Sequence, residues 1–250
     1  MASKFYVVWA GRETGIFTDW PTCKKHVDGF VGARYKSFLT REEAEAAFGN
    51  AKPTAGTGRP AVNANKIKTY NAAEVNALPQ QVKIFTDGGC EPNPGEAGSG
   101  VAVYADNKLT ELWYGLYNAM GTNNTAELNA LHQGLLIAQG EVARGKTAAV
   151  FSDSQYAIQC VTLWAIGWEK AGWKKKGGEI KNLELIQSIY TLHQTLKDKV
   201  QVLHVNGHVG LEGNELADRM SILAIESNET EFALYRGPMD ITAILATRAG

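Results

Sequence analysis

The sequence predicts an α/β fold, a mixed sheet flanked by helices and preceded by a small α+β domain. From Val82 onward, three strand-like apolar runs follow one another and give way to alternating helical and strand-like segments, the order of a mixed sheet with helices on its faces. Before them, residues 50–80 are rich in Ala, Asn, Thr, Pro and Gly and read as a flexible linker. The segment ahead of that is denser in aromatic and charged residues and has a strand and helix pattern of its own. The expected organisation is a small domain over 1–49, a linker over 50–80, a larger domain over 81–227, and a tail over 228–250 in which no motif is read.

In the small domain, residues 5–10 and 15–18 flank the turn Gly11-Arg12-Glu13-Thr14 as a hairpin. Pro21 suits an early helical position, which gives a short helix over 21–27. Residues 35–38 form a third strand, and Thr40 with Glu43 makes a capping box for a helix running to about Phe48. The linker has room for a helical turn near 72–78.

The larger domain opens with strands over 82–86, 99–104 and 111–117. A helix over about 125–141 carries Leu128, Leu131 and Leu135 at helical spacing. Then come a strand over 147–151, a helix from 154 to about 164 and a Trp- and Lys-rich excursion to 179. A helix over 183–196, a strand over 200–205 and a last helix from about Asn214 complete it. The Gly-rich run 95–100 precedes a strand rather than a helix and fits neither a dinucleotide fingerprint nor a phosphate-binding loop, so it reads as a bend.

Composition limits the function classes. Hydrophobic residues make up 44% of 250, enough for an ordinary core and too many for wholesale disorder. No apolar run approaches a membrane span, and Met1-Ala2-Ser3-Lys4 leads straight into a strand-like segment, so neither a membrane partner nor a removable signal is expected. Cys23, Cys90 and Cys160 form no zinc pattern and no disulfide framework, which fits a reducing, cytoplasmic setting. A net charge of −1 counts mildly against a polyanion binder. Basic residues gather locally, however, at Arg34 and Lys36 and at Lys170, Lys174, Lys175, Lys176 and Lys181, and such patches can steer a phosphate backbone.

Four acids stand out by position. Asp87 and Asp153 end apolar strands, and Glu127 and Asp218 lie in the first turns of helices. If the two strands are neighbours, their ends bring two carboxylates together, and helices on either side can add the others. Such a cluster needs positive charge among its members, since like charges at short range raise one another's pKa and destabilise the fold. Oxygen-only ligands suit hard cations such as Mg²⁺, and two of them can activate a water and stabilise the leaving oxygen in phosphodiester cleavage. Each acid also has an ordinary structural reading. Asp87-Gly88 makes a turn, Asp153 a helix cap, Glu127 the partner in a capping box begun by Asn124, and Asp218 a solvated helix residue. His208, in a Gly-rich loop, is either a plain exposed histidine or a proton carrier.

Five segments in order tip the balance: Thr86-Asp87-Gly88-Gly89-Cys90 with Asn93-Pro94-Gly95; Thr122-Asn123-Asn124-Thr125-Ala126-Glu127-Leu128; Ser152-Asp153-Ser154-Gln155-Tyr156; Trp164 to Trp168 with Gly172-Trp173; and the stretch from Gly207 to Asp218. Over residues 82 to about 225 they resemble the catalytic domain of type 1 ribonuclease H. The resemblance implies a ribonuclease H-like mixed five-stranded sheet and hydrolysis of the RNA strand of RNA–DNA hybrids, leaving 5′-phosphate and 3′-hydroxyl ends. It implies Asp87, Glu127, Asp153 and Asp218 as ligands of two Mg²⁺ (or Mn²⁺), with His208 assisting proton movement or product release. Asn93, Asn123, Asn124 and Gln155 are implied as minor-groove contacts, where 2′-OH groups distinguish the RNA strand. Trp164 and Trp168 resemble an aromatic wall along the DNA strand, with core packing as their alternative. Thr122 and Asn182 match a DNA-phosphate pocket, although Met120 stands where the family often has Arg. The Lys-rich excursion matches a basic handle.

Residues 5–48 resemble the hybrid-binding domain that precedes many such enzymes, through Phe5-Tyr6-Val7-Val8, the segment from Gly11 to Phe17, Trp20, Cys23 and Ala33-Arg34-Tyr35-Lys36-Ser37-Phe38. That resemblance implies stacking by Trp20 and Tyr35, a phosphate contact by Lys36 and a backbone contact to RNA near Arg34; aromatic side chains beside a basic one suit nucleic acid in their own right. The expected protein is a monomeric, two-domain nuclease. A non-catalytic hybrid binder and a related metal nuclease acting on DNA are the competing readings.

Overall fold

The computed structural model describes residues 4–28, 30, 33–38, 40–49, 67–175, 177–207 and 209–250. The chain divides into two compact units, Met1–Asn63 and Ala64–Gly250.

In the first unit, strands β1 (Phe5–Ala10), β2 (Gly15–Phe17) and β3 (Arg34–Phe38) form an antiparallel sheet in the order β2-β1-β3. Helix α1 (Trp20–Val27) begins at Asp19, whose carboxylate accepts from the Thr22 amide at 2.8 Å. Its Cys23 and Val27 pack on Val8, giving a small apolar centre. Helix α2 (Arg41–Gly49) is capped by Thr40, which accepts from the Glu43 amide.

The second unit opens with β4 (Thr69–Tyr70) and α3 (Ala72–Ala77). This part of the expected linker is structured: Asn71 and Glu74 form a reciprocal capping box, and Val75 is buried against the core. Residues 50–66 of the expected linker lie outside the described residues. Strands β5 (Val82–Glu91), β6 (Gly95–Ala105) and β7 (Lys108–Gly121) form an antiparallel meander, followed by α4 (Asn123–Ala143) and β8 (Ala148–Ser152). Next come α5 (Gln155–Gln159), a π-helical turn over Cys160–Trp164, α6 (Ala165–Lys170), α7 (Leu183–Leu196), β9 (Val200–Val205) and α8 (Glu212–Ser227). The tail adds β10 (Ala233–Leu234) and α9 (Ile241–Leu245).

The sheet runs β10-β7-β6-β5-β8-β9-β4, antiparallel on the β5–β7 side and parallel from β5 through β8 and β9 to β4. Its five central strands are the expected mixed sheet, and two short strands extend the margins. Leu128, Leu131 and Leu135 of α4 meet Ile84, Val101 and Val150 in a dry layer on one face. Leu216, Ala217 and Met220 of α8 meet Phe85, Ala102 and Phe151 on the other. Truncating one such fully buried leucine to alanine costs about 2–5 kcal/mol. The Gly-rich run expected as a bend is instead the start of β6, because Gly98 and Gly100 lie in the ladder with β5 and under α8.

Candidate active site

Strand register places the first two acids. The parallel pairing of β5 with β8 ends at Thr86 opposite Ser152, and the next residue on each strand is Asp87 or Asp153. Asp87 stays in the ladder opposite Gly100 of β6, so Asp87-Gly88 is not a turn. Asp153 is not a cap, since Ser154 caps α5.

Close backbone approach supplies the other two. A Cβ on Gly88 would stand 2.2 Å from the Glu127 nitrogen, so the bare glycine is what allows the first turns of α4 to close on β5. That helix is capped by Thr122, whose hydroxyl accepts from the Thr125 amide at 3.2 Å. Glu127 is thereby released from the expected capping box and turned inward, 6% exposed, with its Oε2 buried and lacking a hydrogen-bond partner. Likewise, a Cβ on Gly100 would stand 2.1 Å from the Ala217 carbonyl, so α8 lies directly on β6 and delivers Asp218, which is buried rather than solvated.

One carboxylate oxygen each from Asp87, Glu127 and Asp153 lies within 4.8 Å of the others. Burial lifts the Asp87 carboxyl well above the usual carboxylate range, and the charges of Asp153 and then Asp218 lift it further, against the Gly88 amide. Glu127 is raised by burial, then by Asp87 and Asp153. Asp218 borders this cluster but is already engaged. Its carboxylate pairs with Arg219 and accepts from the Gly250 amide at 3.0 and 3.3 Å. All-oxygen donors, buried charge repulsion and an orphaned Glu127 oxygen together fit a hard divalent cation.

The acids line a cavity of ≈ 570 Å³ shared with Asn123 and Gln155. Asn93 accepts from the Asn123 amide at 3.3 Å, and Asn124 and Gln155 are exposed. Thr122 and Asn182 meet through Thr125, whose hydroxyl is 2.8 Å from that of Thr122 and donates to the Asn182 side chain at 3.1 Å. Met120 projects nearby, 73% exposed. Trp164 and Trp168 sit with ring centroids 5.9 Å apart, half-buried against the core, so packing is part of their role. Lys170, Lys174, Lys175 and Lys181 are exposed, whereas His208 and Lys176 lie outside the described residues.

In the first unit, Trp20 and Tyr35 are exposed neighbours, 5.6 Å between centroids. Strand alternation sends Lys36 and Arg34 to the opposite face of the same edge strand, where Lys36 lies 5.5 Å from the Phe38 ring.

Three participants had no assigned role in the sequence reading. Asn214, 2% exposed, donates to Asp153 Oδ2 at 3.2 Å; its position four residues before Asp218 on one helix was the available signal. Arg219 stood next to Asp218 in sequence, whereas Gly250 gave no signal, because its contact depends on how the tail folds back.

Residues 79–226 match the RNase H family, and residues 4–48 match the ribonuclease H1 N-terminal domain. Ribonuclease H1 of Rattus norvegicus is 29% identical over 254 residues, covering 87% of this chain and 87% of its own. A ribonuclease H of Acidovorax sp. (strain JS42) is 37% identical over 147 residues, 58% of this chain and 95% of its own. Among solved structures, the PFV RNase H domain is similar with TM-score 0.50 at 21% identity, covering 59% of this chain and 96% of its own. LC9-RNase H1 is similar with TM-score 0.51 at 22% identity, covering 67% and 86%. These two likenesses extend to the fold.

Proposed function

The chain belongs to the ribonuclease H family, and from that premise we propose that it hydrolyses the RNA strand of RNA–DNA hybrids at the carboxylate cluster, leaving 5′-phosphate and 3′-hydroxyl ends. The observation that carries the reading is the convergence of Asp87, Glu127 and Asp153 at the end of a parallel strand pair, with Asp218 alongside. These four acids would hold two Mg²⁺ (or Mn²⁺), which would supply activation of a water and stabilisation of the leaving oxygen.

The chain's own residues do the rest. Asn123 and Gln155 border the acids, and with Asn93 and Asn124 they offer donors and acceptors to the minor groove, where 2′-OH groups occur on one strand only. Thr122 and Asn182, joined by Thr125, form a polar pocket of the kind that holds a phosphate of the DNA strand. Trp164 and Trp168 present an aromatic wall. Trp20 and Tyr35 stack on the hybrid and Lys36 meets phosphate, so the first unit raises the local concentration of substrate around the second. His208 assists proton movement or product release.

Incubating labelled hybrid with Mg²⁺ tests the reading, with single-stranded RNA and duplex DNA as competing substrates and the product ends determined. Wild type is expected to cut only the RNA strand of the hybrid. Asp87→Asn should lower the rate on the order of 10⁴-fold, the scale of losing one member of a catalytic unit, with hybrid affinity intact. Binding without cleavage by wild type, or equal cutting of duplex DNA, overturns it.

A further inference from the structure

His204 lies on β9 between Ser152 of β8 on one side and Thr69 of β4 on the other, and is 3% exposed. Both ring nitrogens are engaged. Nε2 is 3.1 Å from the main-chain oxygen of Asp153, and Nδ1 is 2.8 Å from the Thr69 hydroxyl. A carbonyl oxygen can only accept, so Nε2 carries the hydrogen; in the neutral ring Nδ1 is then a bare acceptor and the Thr69 hydroxyl donates to it. The hydrogen bonds thus run in one direction, from Thr69 to His204 to the backbone of Asp153.

Asp153 depends on such a partner. The β5–β8 pairing stops one residue earlier, at Ser152, so the Asp153 carbonyl has no ladder partner on β5. The His204 N–H supplies one, and in doing so the buried imidazole has its own donor satisfied. The other end of the residue is held by Asn214, so Asp153 is gripped at both main chain and side chain. The hydroxyl that holds the imidazole comes from a strand that is itself anchored. β4 continues into α3 through the Asn71–Glu74 capping box, and Lys68 pairs with Glu74 at 3.0 Å. That segment precedes residue 79, where the family match begins.

We propose that Thr69 and His204 are positioning residues for the reaction: the Thr69 hydroxyl, donating to Nδ1, holds the His204 ring in place, and the Nε2–H fixes the main chain of Asp153 so that its carboxylate meets those of Asp87 and Glu127. The inference rests on the reading of Asp153 as a metal ligand. Partners one bond removed from a ligand set its orientation, and their loss commonly weakens metal binding 10- to 100-fold where the ligand is rigidly held.

The test uses the full chain and the variants Thr69→Val and Thr69→Ser. Valine matches threonine in shape and suits a strand, so the pairing of β4 is retained while the hydroxyl is lost. Three readouts are taken: ¹⁵N shifts of the His204 ring, Mg²⁺ affinity by calorimetry without hybrid, and kcat and KM for the hybrid. Wild type and Thr69→Ser are expected to show Nε2–H alone. Thr69→Val should keep Nε2–H, which the Asp153 carbonyl still accepts, but lose the hydrogen-bond signature at Nδ1, with roughly 10-fold weaker Mg²⁺ binding, an unchanged KM for hybrid and a kcat that recovers as Mg²⁺ is raised. A wild-type ring protonated at Nδ1 alone, or Thr69→Val with wild-type Mg²⁺ affinity, overturns the proposal. Asp87→Asn separates the two levels. If it abolishes Mg²⁺ binding while Thr69→Val does not alter it, only the relay fails; if Asp87→Asn also binds Mg²⁺ as wild type does, the site reading fails.

Discussion

The main-chain amide of Gly250 donates to the Asp218 carboxylate at 3.0 Å, so one acid of the cluster is held by the chain's own tail. Arg219 pairs with the same carboxylate and donates to the Leu245 carbonyl, tying α8 to the end of α9. A cation drawing on Asp218 competes with these contacts. Truncation after Thr247 removes the amide and the exposed Arg248–Glu91 pair, the latter being worth little. The Mg²⁺ concentration for half-maximal cleavage should fall a few-fold with hybrid affinity unchanged; an identical Mg²⁺ profile would show the tail contact to be energetically silent.

Gly88 and Gly140 make a matched pair of substitutions bearing on the same helix. Gly88→Ala forces a methyl group onto the Glu127 nitrogen and should cost about 1–3 kcal/mol while pushing Glu127 out of the cluster. Gly140→Ala, within α4 and with nothing within 4 Å of the added carbon, should stabilise by about 0.5–1 kcal/mol and leave cleavage intact. Urea unfolding of both variants, with hybrid cleavage, checks the contrast.

The raised carboxyls of Asp87 and Glu127 fix the sign of a pH effect in metal-free protein. Below the unfolded-state values of about 3.9 and 4.3, both groups are protonated in either state and impose no cost. As pH rises past those values, the unfolded chain releases its protons first, so stability falls until the folded-state values are passed. Relative to wild type, metal-free Asp87→Asn should therefore melt several degrees higher at neutral pH and show little advantage near pH 4. Saturating Mg²⁺ should narrow the gap by stabilising wild type. Melting curves across pH, with chelator and with Mg²⁺, measure all three.

Trp20 and Lys36 belong to the first unit, whereas the four acids belong to the second. Trp20→Ala with Lys36→Ala should weaken hybrid binding by about 1–3 kcal/mol for the lost stacking alone and reduce the number of cuts per encounter. The rate at saturating hybrid should stay at the wild-type value. Fluorescence anisotropy and single-turnover cleavage separate these effects, and unchanged affinity would remove Trp20 and Lys36 from the interface.

Much of this architecture is visible in local sequence. The α7 and β9 bounds follow directly from apolar periodicity, and Asp87 and Asp153 stand out because each follows an apolar run. What local sequence hides is decided by tertiary approach. Thr122 wins the cap of α4 over Asn124 only because Gly88 lets the helix start close to β5. The Gly-rich run before Val101 looks like a bend until α8 is laid across it. Residues 67–78 carry a linker-like composition, yet one buried valine and one capping box suffice to order them. His204 alternates along a strand like any other residue, and its partners lie 135 positions before it and 51 before it.

The two-residue strands β4 and β10 have a consequence for solubility. Unpaired strand edges are templates for association with other chains. β4 covers β9 on one margin, and β10 covers β7 on the other, where Phe232 stacks on Trp113 at 5.6 Å and Tyr235 meets Tyr114. A chain trimmed to residues 79–226 would keep all four acids but bare both margins and uncover Trp113 and Tyr114. Its first defect would be self-association, with the chemistry of the remaining monomer still in place.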